Sequence, residues 1–382
     1  MMLFFALLMA ALIFLRLILP LRIRMVWKIL LAFPVLAACC KNQVMHQLGG
    51  PMFFAPDLPA WILLPAAWVY AAALLLFVLL VLMEPVRLII KIVFYCRKIV
   101  ESAELERRIW RIIHPCLAAA AVLLASIGIF RGTSLPSVRE VTLSFPNLPL
   151  EADGFRIAVL ADLHADRVTR SSRVRKMVEL TNTLNPDMTV ILGDFVDGPV
   201  ERCSQELVPL RDLRARLGIY AVPGNHEYYS GYASWMNFLS GLGLRMLENS
   251  CVRLSCGIRL AGVTDPAAAR TGEGVPDLKK ALHGVPAGDF ILLLAHRPAL
   301  AEEASRQGVS LQLSGHTHGG MVFGLDRVVA RFNGGFVSGL YEVNGMKLYV
   351  SNGTGIWNGF PVRLGRESEI TLITLCRDGI SR

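Results

Sequence analysis

Five of the eight histidines in this 382-residue chain follow short apolar runs, and two of them, His164 and His226, have acidic or amide residues within two positions. The stretch "SGHTHGG" at residues 314–320 sets two of the others one residue apart between glycines. An imidazole is costly to bury unless its ring nitrogens have partners, and a metal ion is one such partner. A polar surface turn is the alternative explanation, because Gly, Ser and Thr are ordinary loop residues.

Each of the other stretches has a short apolar run that is followed at once by ligand-type side chains. They read "FRIAVLADLHAD", "MTVILGDFVDG", "IYAVPGNHEYY" and "FILLLAHRP". Continuous apolar runs of this kind predict buried strands of an α/β sheet, whose carboxyl ends meet at one edge. Together with the glycine-flanked pair, the polar residues after these runs are Asp162, His164, Asp194, Asp197, Asn225, His226, His296, His316 and His318.

The elements that must position these side chains follow from the same pattern. We predict strands at Phe155–Leu160, Met188–Leu192 and Ile219–Val222, with further strands before His296 and before the glycine-flanked pair. Helical stretches at Ser172–Leu184 and Glu206–Arg216 separate several of them.

The mixture of ligand types indicates metal chemistry. Carboxylate and amide oxygens combined with imidazole nitrogens suit Mn, Fe or Zn. Two such ions about 3.5–4 Å apart can share a carboxylate, activate water and clamp phosphoryl oxygens. Gly193 and Gly224 allow the sharp turns that would bring Asp194 and Asn225 close. The sequence therefore predicts a centre with two divalent metal ions.

The order of the motifs resembles the calcineurin-like metallophosphoesterase superfamily, whose pattern is D-x-H, G-D-x-x-D, G-N-H-[DE], a lone His and G-H-x-H. The resemblance covers about Ser137–Arg382, and the ending "NGTGIWNGFPVRLGRESEITLITL" is similar to bacterial, membrane-associated members. The five blocks occur in order at Asp162–His164, Gly193–Asp197, Gly224–Glu227, His296 and Gly315–His318.

The resemblance implies a role for each motif residue and a fold. The fold would be a metallo-dependent phosphatase-like α/β sandwich of two mixed β-sheets flanked by helices. His226 would contact the phosphate and assist the leaving oxygen, oriented by Asp197. The ligands of one metal would be Asp162, His164, Asp194 and His318, and those of the second would be Asp194, Asn225, His296 and His316.

Some neighbouring polar residues receive no direct role at this stage. Each of them has a pocket-lining interpretation, but packing beside the site or at the surface accounts for them as well. They are Glu227, Tyr228, Arg297 and Arg363.

The amino-terminal third of the chain has a different character. The chain is 54% hydrophobic, above the roughly 45–50% of ordinary soluble domains, and the excess lies in residues 1–130. Spanning helices need about 20 apolar residues, so we expect about four transmembrane helices in this region. A linker and first strand would follow at 131–153, and a catalytic domain at 154–382. The four apolar runs are Leu3–Leu19, Val26–Cys40, Ala60–Met83 and Ile112–Phe130.

Charge predicts the orientation of these helices. Residues 1–130 contain twelve Lys and Arg against five Asp and Glu, which leaves only +2 of the net +9 for the remainder. The loops around Arg22 and between Glu84 and Arg111 are basic, which is typical of the cytoplasmic side. Four spans put both loops inside, whereas three would force one outside. We expect a multi-pass protein of the bacterial inner membrane with an extracytoplasmic catalytic domain.

Cysteine usage leaves one question open. In an oxidising compartment, Cys251 and Cys256 could form a disulfide across "CVRLSC". Two free thiols are the interpretation that the spacing favours, because spacing alone does not fix disulfide geometry.

These observations predict a phosphoesterase that hydrolyses phosphodiester or phosphomonoester bonds at the membrane surface. Its partners would be the lipid bilayer and a phosphoester substrate, lipid-linked or from the cell envelope. The alternative is a membrane sensor or scaffold with a catalytically inactive domain. No nucleic-acid partner is expected, because the domain carries little excess positive charge.

Overall fold

The computed structural model of the chain describes residues 2–49, 56–99 and 102–379. The chain divides into two compact units. The first comprises Met1–Arg131 and Gly359–Val362, and the second Gly132–Asn358 and Arg363–Arg382. The predicted boundary near residue 130 therefore coincides with a division in the structure, although four residues of the predicted catalytic domain belong to the first unit. Residues 380–382 of that domain lie outside the described residues.

The first unit is helical. Its described helices are α1 (Met2–Ile13, continued by a π-helical turn at Phe14–Ile18), α2 (Met25–Cys39), α3 (Lys41–Gly49), α4 (Ala60–Cys96) and α5 (Ser102–Thr133). Helices α4 and α5 are long and apolar enough to cross a membrane. Helices α2 and α3 are bent by 71° where they meet and would form at most one further span, and Met2–Ile18 is a shorter apolar helix. The expectation of four spans thus stays a prediction, and residues 50–55 of its outer loop lie outside the described part.

Ion pairs join the basic segments of this unit. Arg16, at the end of the first helix, lies 2.7 Å from Glu84 on α4. Arg87 on α4 lies 3.0 Å from Glu106 on α5. The two segments that we expected to face one compartment therefore lie at the same end of the helix group.

The second unit contains two six-stranded sheets. The first has the strand order β1-β12-β2-β3-β4-β5 and the second β10-β11-β9-β8-β7-β6. The first consists of β1 (Ser137–Phe145), β2 (Arg156–Leu160), β3 (Met188–Ile191), β4 (Ile219–Ala221), β5 (Arg245–Met246) and β12 (Glu369–Arg377). The second consists of β6 (Ser250–Arg253), β7 (Arg259–Gly262), β8 (Ile291–Leu294), β9 (Leu311–Ser314), β10 (Gly339–Val343) and β11 (Met346–Val350).

Both sheets are mixed, as expected. Strands β2, β3 and β4 are parallel, and β12 runs antiparallel to β2. In the second sheet β7, β8 and β9 are parallel, and β10 is antiparallel to β11. The carboxyl ends of β2, β3 and β4 therefore meet at one sheet edge, and those of β8 and β9 do so in the second sheet.

Alternating side chains build the layers. Val159 of β2 belongs to the same buried cluster as Leu292 of β8, so residues of the two sheets share one core. Leu160, the next residue along β2, packs instead with residues of α6 (Ser171–Thr183), α7 (Val200–Leu207) and α9 (Tyr232–Gly241). Helices α10 (Leu278–Ala281) and α11 (Ala301–Arg306) cover the second sheet. The sequence-predicted fold class is confirmed.

One predicted helix is wrong. The stretch Glu206–Arg216 is not a continuous helix, because α7 ends at Leu207 and a 3₁₀ turn at Val208–Asp212 follows. Pro209 lacks a backbone N–H and cannot continue an α-helical ladder. The predicted helix Ser172–Leu184 corresponds to α6 within one residue at each end.

The cysteine question has a clear structural answer. Cys251 on β6 and Cys256 in the turn that follows are both free thiols. Burial raises the pKa of both thiols.

The shared core makes a direct prediction. Leu292 is fully buried, so Leu292→Ala should cost about 3 kcal/mol through lost burial and a residual cavity. For a unit of this size that corresponds to a fall of roughly 6–12 °C in unfolding temperature, measured by near-UV circular dichroism on the full chain. Leu340→Ala is the matched control, because Leu340 is 50% exposed. Equal shifts in the two variants would contradict the assigned core.

Candidate metal centre

The predicted ligands follow the carboxyl ends of strands in both sheets. Asp162 and His164 come directly after β2, and Asp194 follows β3. Asn225 is the first residue of the short helix α8 (Asn225–Tyr229), which follows β4. His296 follows β8, and the pair His316 and His318 follows β9.

The backbone at these positions is unusual. Five of the predicted ligands have left-handed backbone conformations, which residues other than glycine rarely adopt. Such conformations cost free energy and concentrate at functional sites. Here they occur directly after β2, β3 and β9, where the chain leaves the strand and the candidate ligands begin. The φ values are +53° at Asp162, +47° at His164, +52° at Asp194, +70° at His316 and +48° at His318.

Two glycines leave room for the carboxylates. A Cβ atom on Gly224 would collide with the carboxylate of Asp194. A Cβ atom on Gly315 would lie 2.7 Å from Oδ2 of Asp162. In both places the backbone approaches an acidic ligand more closely than a side chain would permit.

The first group of candidate ligands comprises Asp162, His164 and His318. One ligand atom from each lies within 4.8 Å of the others. Nε2 of His164 and Nε2 of His318 are 3.0 Å apart. The backbone N–H of His316 donates to the Asp162 carboxylate at 3.0 Å, which fixes that side chain.

The second group comprises Asp194, His296 and His316. Nε2 of His296 lies 3.1 Å from Nδ1 of His316 and 3.2 Å from Oδ1 of Asn225. The other ring nitrogen of His296 donates to the carbonyl of Leu192 at 2.6 Å. That bond orients the ring so that Nε2 faces the group, as in metal-ligating histidines.

Asp194 faces both groups. Its Oδ2 lies 3.3 Å from Nε2 of His296 and 3.8 Å from Nε2 of His164. In each group two imidazole nitrogens also lie about one hydrogen-bond length apart. Two nitrogen lone pairs repel each other at this distance unless a proton or a metal cation lies between them. Carboxylate, amide and imidazole donors in this arrangement fit two divalent ions that share Asp194.

Charge states differ among the candidate imidazoles. Burial disfavours the charged ring of His296, but Asp194 outweighs it and raises the pKa of His296 to about 10, so a metal ion at this ring would have to displace a proton. Burial, together with the neighbouring His296, holds the pKa of His316 well below its ordinary value. Burial and His164 do the same for His318. Both rings are therefore neutral, which is the form that binds metals. Asp194 is anionic because His296 and other histidines lower its pKa despite its burial.

Asp197 contacts two histidines. Its Oδ1 accepts from Nδ1 of His226 at 2.5 Å and from Nδ1 of His164 at 3.0 Å. Burial disfavours its charge, but His164 and His226 outweigh that effect and lower the pKa of Asp197 to about 2. The expected pairing of Asp197 with His226 is therefore present, and Asp197 also orients a candidate metal ligand.

Glu227 has a positioning role that the sequence analysis left open. It is completely buried. Its carboxylate accepts from the backbone N–H groups of Asp194 at 3.0 Å, Phe195 at 2.8 Å and Gly224 at 2.7 Å. It therefore ties the loop after β3 to the loop after β4. Its place directly after the G-N-H motif was the available signal.

Arg363 is also buried beside the centre. Its guanidinium donates to the carbonyls of Asn352 at 2.8 Å and Gly355 at 3.1 Å, and to that of His318 at 3.2 Å. These bonds hold the loop after β11 against a candidate ligand. Packing accounts for the other two residues, because Tyr228 stacks on Tyr232 and Arg297 pairs with Asp265 at 2.7 Å.

Comparison with known proteins agrees with this geometry. The family model described as calcineurin-like phosphoesterase matches residues 155–320. A metallophosphoesterase of Aquifex aeolicus is 32% identical over 240 residues, which cover 62% of this chain and 91% of that protein. The chain belongs to the calcineurin-like phosphoesterase family. The predicted family resemblance is thus confirmed.

Relatives of this family occur in bacteria and in animals. A metallophosphoesterase of Campylobacter jejuni is 32% identical over 261 residues, 68% of either chain. A bovine relative named transmembrane protein with metallophosphoesterase domain is 38% identical over 280 residues, which cover 69% of this chain. The chain spans about three fifths of that relative, 62% of its length.

The backbone of Gly224 lies so close to the Asp194 carboxylate that a side chain at this position should disturb metal binding. In Gly224→Ala the new methyl group would displace the Asp194 carboxylate, so we expect about tenfold weaker metal binding. Manganese content after dialysis, measured by mass spectrometry of the metal, tests this. Gly241→Ala is the control, because a Cβ there meets nothing within 4 Å. Unchanged metal binding in Gly224→Ala would show that Asp194 is not a ligand.

The bonds of Glu227 predict a second effect. Glu227→Gln puts an amide NH₂ against backbone N–H groups, so at least one bond becomes repulsive at a cost of about 1–3 kcal/mol. We expect a lower unfolding temperature and weaker manganese binding, measured by thermal unfolding with and without the metal. Glu201→Gln, an exposed change on α7, should alter neither quantity. A stable variant with full metal affinity would refute the positioning role.

Proposed function

We propose that the chain is a dinuclear metal-dependent hydrolase of phosphodiester or phosphomonoester bonds at the membrane surface. The observation that carries the proposal is the set of three overlapping donor groups, which are linked to one another through His164 and Asp194. Membership of the calcineurin-like phosphoesterase family supports the same reaction class. The metal ligands are Asp162, His164, Asp194, Asn225, His296, His316 and His318.

The mixed oxygen and nitrogen donors suit Mn, Fe or Zn. When bound, two such ions supply Lewis-acid polarisation of phosphoryl oxygens and a water nucleophile active at neutral pH. The contribution of the chain is to hold the donors in place before substrate arrives. Buried backbone contacts of Asp162 and Asp194 provide that order.

His226 is the proposed proton donor. Its Nδ1 donates to Asp197, and Nε2, which lies 3.8 Å from Oδ2 of Asp194, is the atom to which we assign protonation of a leaving oxygen. Burial disfavours the charged ring, but Asp194 and Asp197 outweigh it and raise the pKa of His226 to about 9. The ring is therefore protonated at neutral pH, as an acid must be. Asp197 is the residue that orients it.

A membrane location supports the choice of substrate. Two helices are long enough to span a bilayer, and animal relatives are named as transmembrane proteins. We place the chain in a bacterial inner membrane as a multi-pass protein, with its metal-ligand domain on the extracytoplasmic side. A tethered domain of this kind suits a lipid or envelope phosphoester and gives no support for a nucleic-acid substrate.

A membrane sensor with an inactive domain is the second candidate. The complete set of donors counts against it, because a binding module has no need of two metal groups and a proton donor. The distinction is experimental.

Hydrolysis by the full chain in detergent tests the proposal. We expect turnover of bis-p-nitrophenyl phosphate or p-nitrophenyl phosphate with Mn, Zn or Fe, and loss of it on chelation. Asp194→Asn should lose metal and activity together. His226→Gln should keep its metal but lose about 10²–10⁴-fold in rate.

His283→Gln is the control, since His283 is exposed and outside the centre. It should retain full activity. If the protein binds two ions but cleaves none of bis-p-nitrophenyl phosphate, p-nitrophenyl phosphate and a phospholipid, the result would instead support a membrane sensor with an inactive domain.

A further inference from the structure

The helical unit contains a cavity of about 730 Å³ that the metal chemistry does not use. It lies between the end of the first helix and the facing parts of α4 and α5, wholly within the first unit. Its volume falls within the roughly 300–1,000 Å³ that is typical of ligand pockets.

Basic side chains form one part of the wall. Four arginines and one glutamate line the cavity: Arg16, Arg87, Arg107, Arg111 and Glu106. Glu106 pairs with Arg87, Arg16 pairs with Glu84, and Arg107 pairs with Glu104 at 2.9 Å. Arg111 has no ion-pair partner among the residues that the structure describes. The wall therefore carries one unneutralised positive charge, that of Arg111.

A buried donor adds to this. Trp110 lines the cavity and is 5% exposed, and its Nε1–H has no acceptor in the described part of the chain. A buried N–H without an acceptor is costly, so its presence in a cavity wall indicates a ligand that accepts a hydrogen bond. Arg87 lies over the same indole ring at 5.7 Å from its centre.

The other part of the wall is apolar. Leu15, Ile18 and Leu21 line it from the first helix and the turn that follows, and Pro115 and Ala118 from α5. A ligand that fills the cavity must therefore have an anionic head beside the arginines and a hydrocarbon part beside these residues. Basic residues at the ends of membrane helices lie at the depth of lipid head groups.

We propose that this cavity binds an anionic phospholipid, with its phosphate on Arg111 and Trp110 Nε1 and an acyl chain against Ile18 and Ala118. The site is separate from the metal ligands, all of which belong to the second unit. The proposal does not depend on the proposed hydrolase activity.

Native mass spectrometry of the full chain in detergent tests the site. We expect phosphatidylglycerol to bind at least tenfold more tightly than phosphatidylcholine. Arg111→Gln should weaken phosphatidylglycerol binding about fivefold, the contribution of one arginine near a lipid surface. Trp110→Phe should weaken it while retaining the ring, and Ala118→Phe should block the acyl chain.

Arg108→Gln is the matched control. Arg108 is on the same helix, pairs with Glu104 and does not line the cavity. Equal affinity for the two lipids, or equal effects of Arg111→Gln and Arg108→Gln, would overturn the proposal. Displacement of the lipid by inorganic phosphate at equal concentration would also overturn it, because the site would then recognise a free anion. Arg111 is exposed, so its substitution leaves the fold intact.

Discussion

The burial of one carboxylate, that of Asp194, is the constraint on which the rest of the centre depends. An ionised group removed from water is unstable unless charges and hydrogen bonds replace its hydration. The backbone N–H of His226 donates to its Oδ1 at 2.9 Å, and Nε2 of His296 lies 3.3 Å from its Oδ2. Glu227 fixes the backbone on both sides of this contact. The loops after β3, β4 and β8 are therefore held by a single anionic group, and their order is present before any substrate binds.

The left-handed backbone of the ligands is a second constraint. Side chains two residues apart in a strand point to the same face, so the D-x-H spacing by itself lets Asp162 and His164 serve one ion. The positive φ at both residues bends the chain out of the strand while the two side chains stay in one donor group. This conformation is unfavourable for non-glycine residues, and the surrounding sheets must supply the free energy that maintains it. The two-sheet core beneath the loops, with Leu292 at its centre, provides that stability.

Sequence patterns predicted those parts of the centre that depend on residues close together in the sequence. A buried strand followed by ligand-type residues is visible within ten residues of chain, and the structure brings together all seven predicted metal ligands with Asp197 and His226. The contacts of Arg363 could not be predicted, because they join it to His318, 45 positions earlier, through tertiary packing. The helix at Glu206–Arg216 failed for a local reason, since a single proline outweighed the apolar periodicity. The number of spans also remains open, because α2 is short and the chain bends by 71° where α2 meets α3.

The basic residues of the helical unit have two physical roles, which are to orient the helices in a membrane and to line a cavity. Arginines near spanning helices indicate orientation, because cationic side chains resist transfer across the bilayer. In the folded unit, two of these arginines, Arg16 and Arg87, are neutralised by glutamates, which join three helices at one end. Arg111 lacks such a partner in the described part of the chain and lines a cavity whose other wall is apolar. Orientation requires only positive charge, whereas the cavity requires charge, a buried donor and hydrocarbon surface together. Orientation alone explains neither the apolar wall nor an indole N–H that has no acceptor among the described residues. Recognition of a lipid head group therefore accounts for more of the structure.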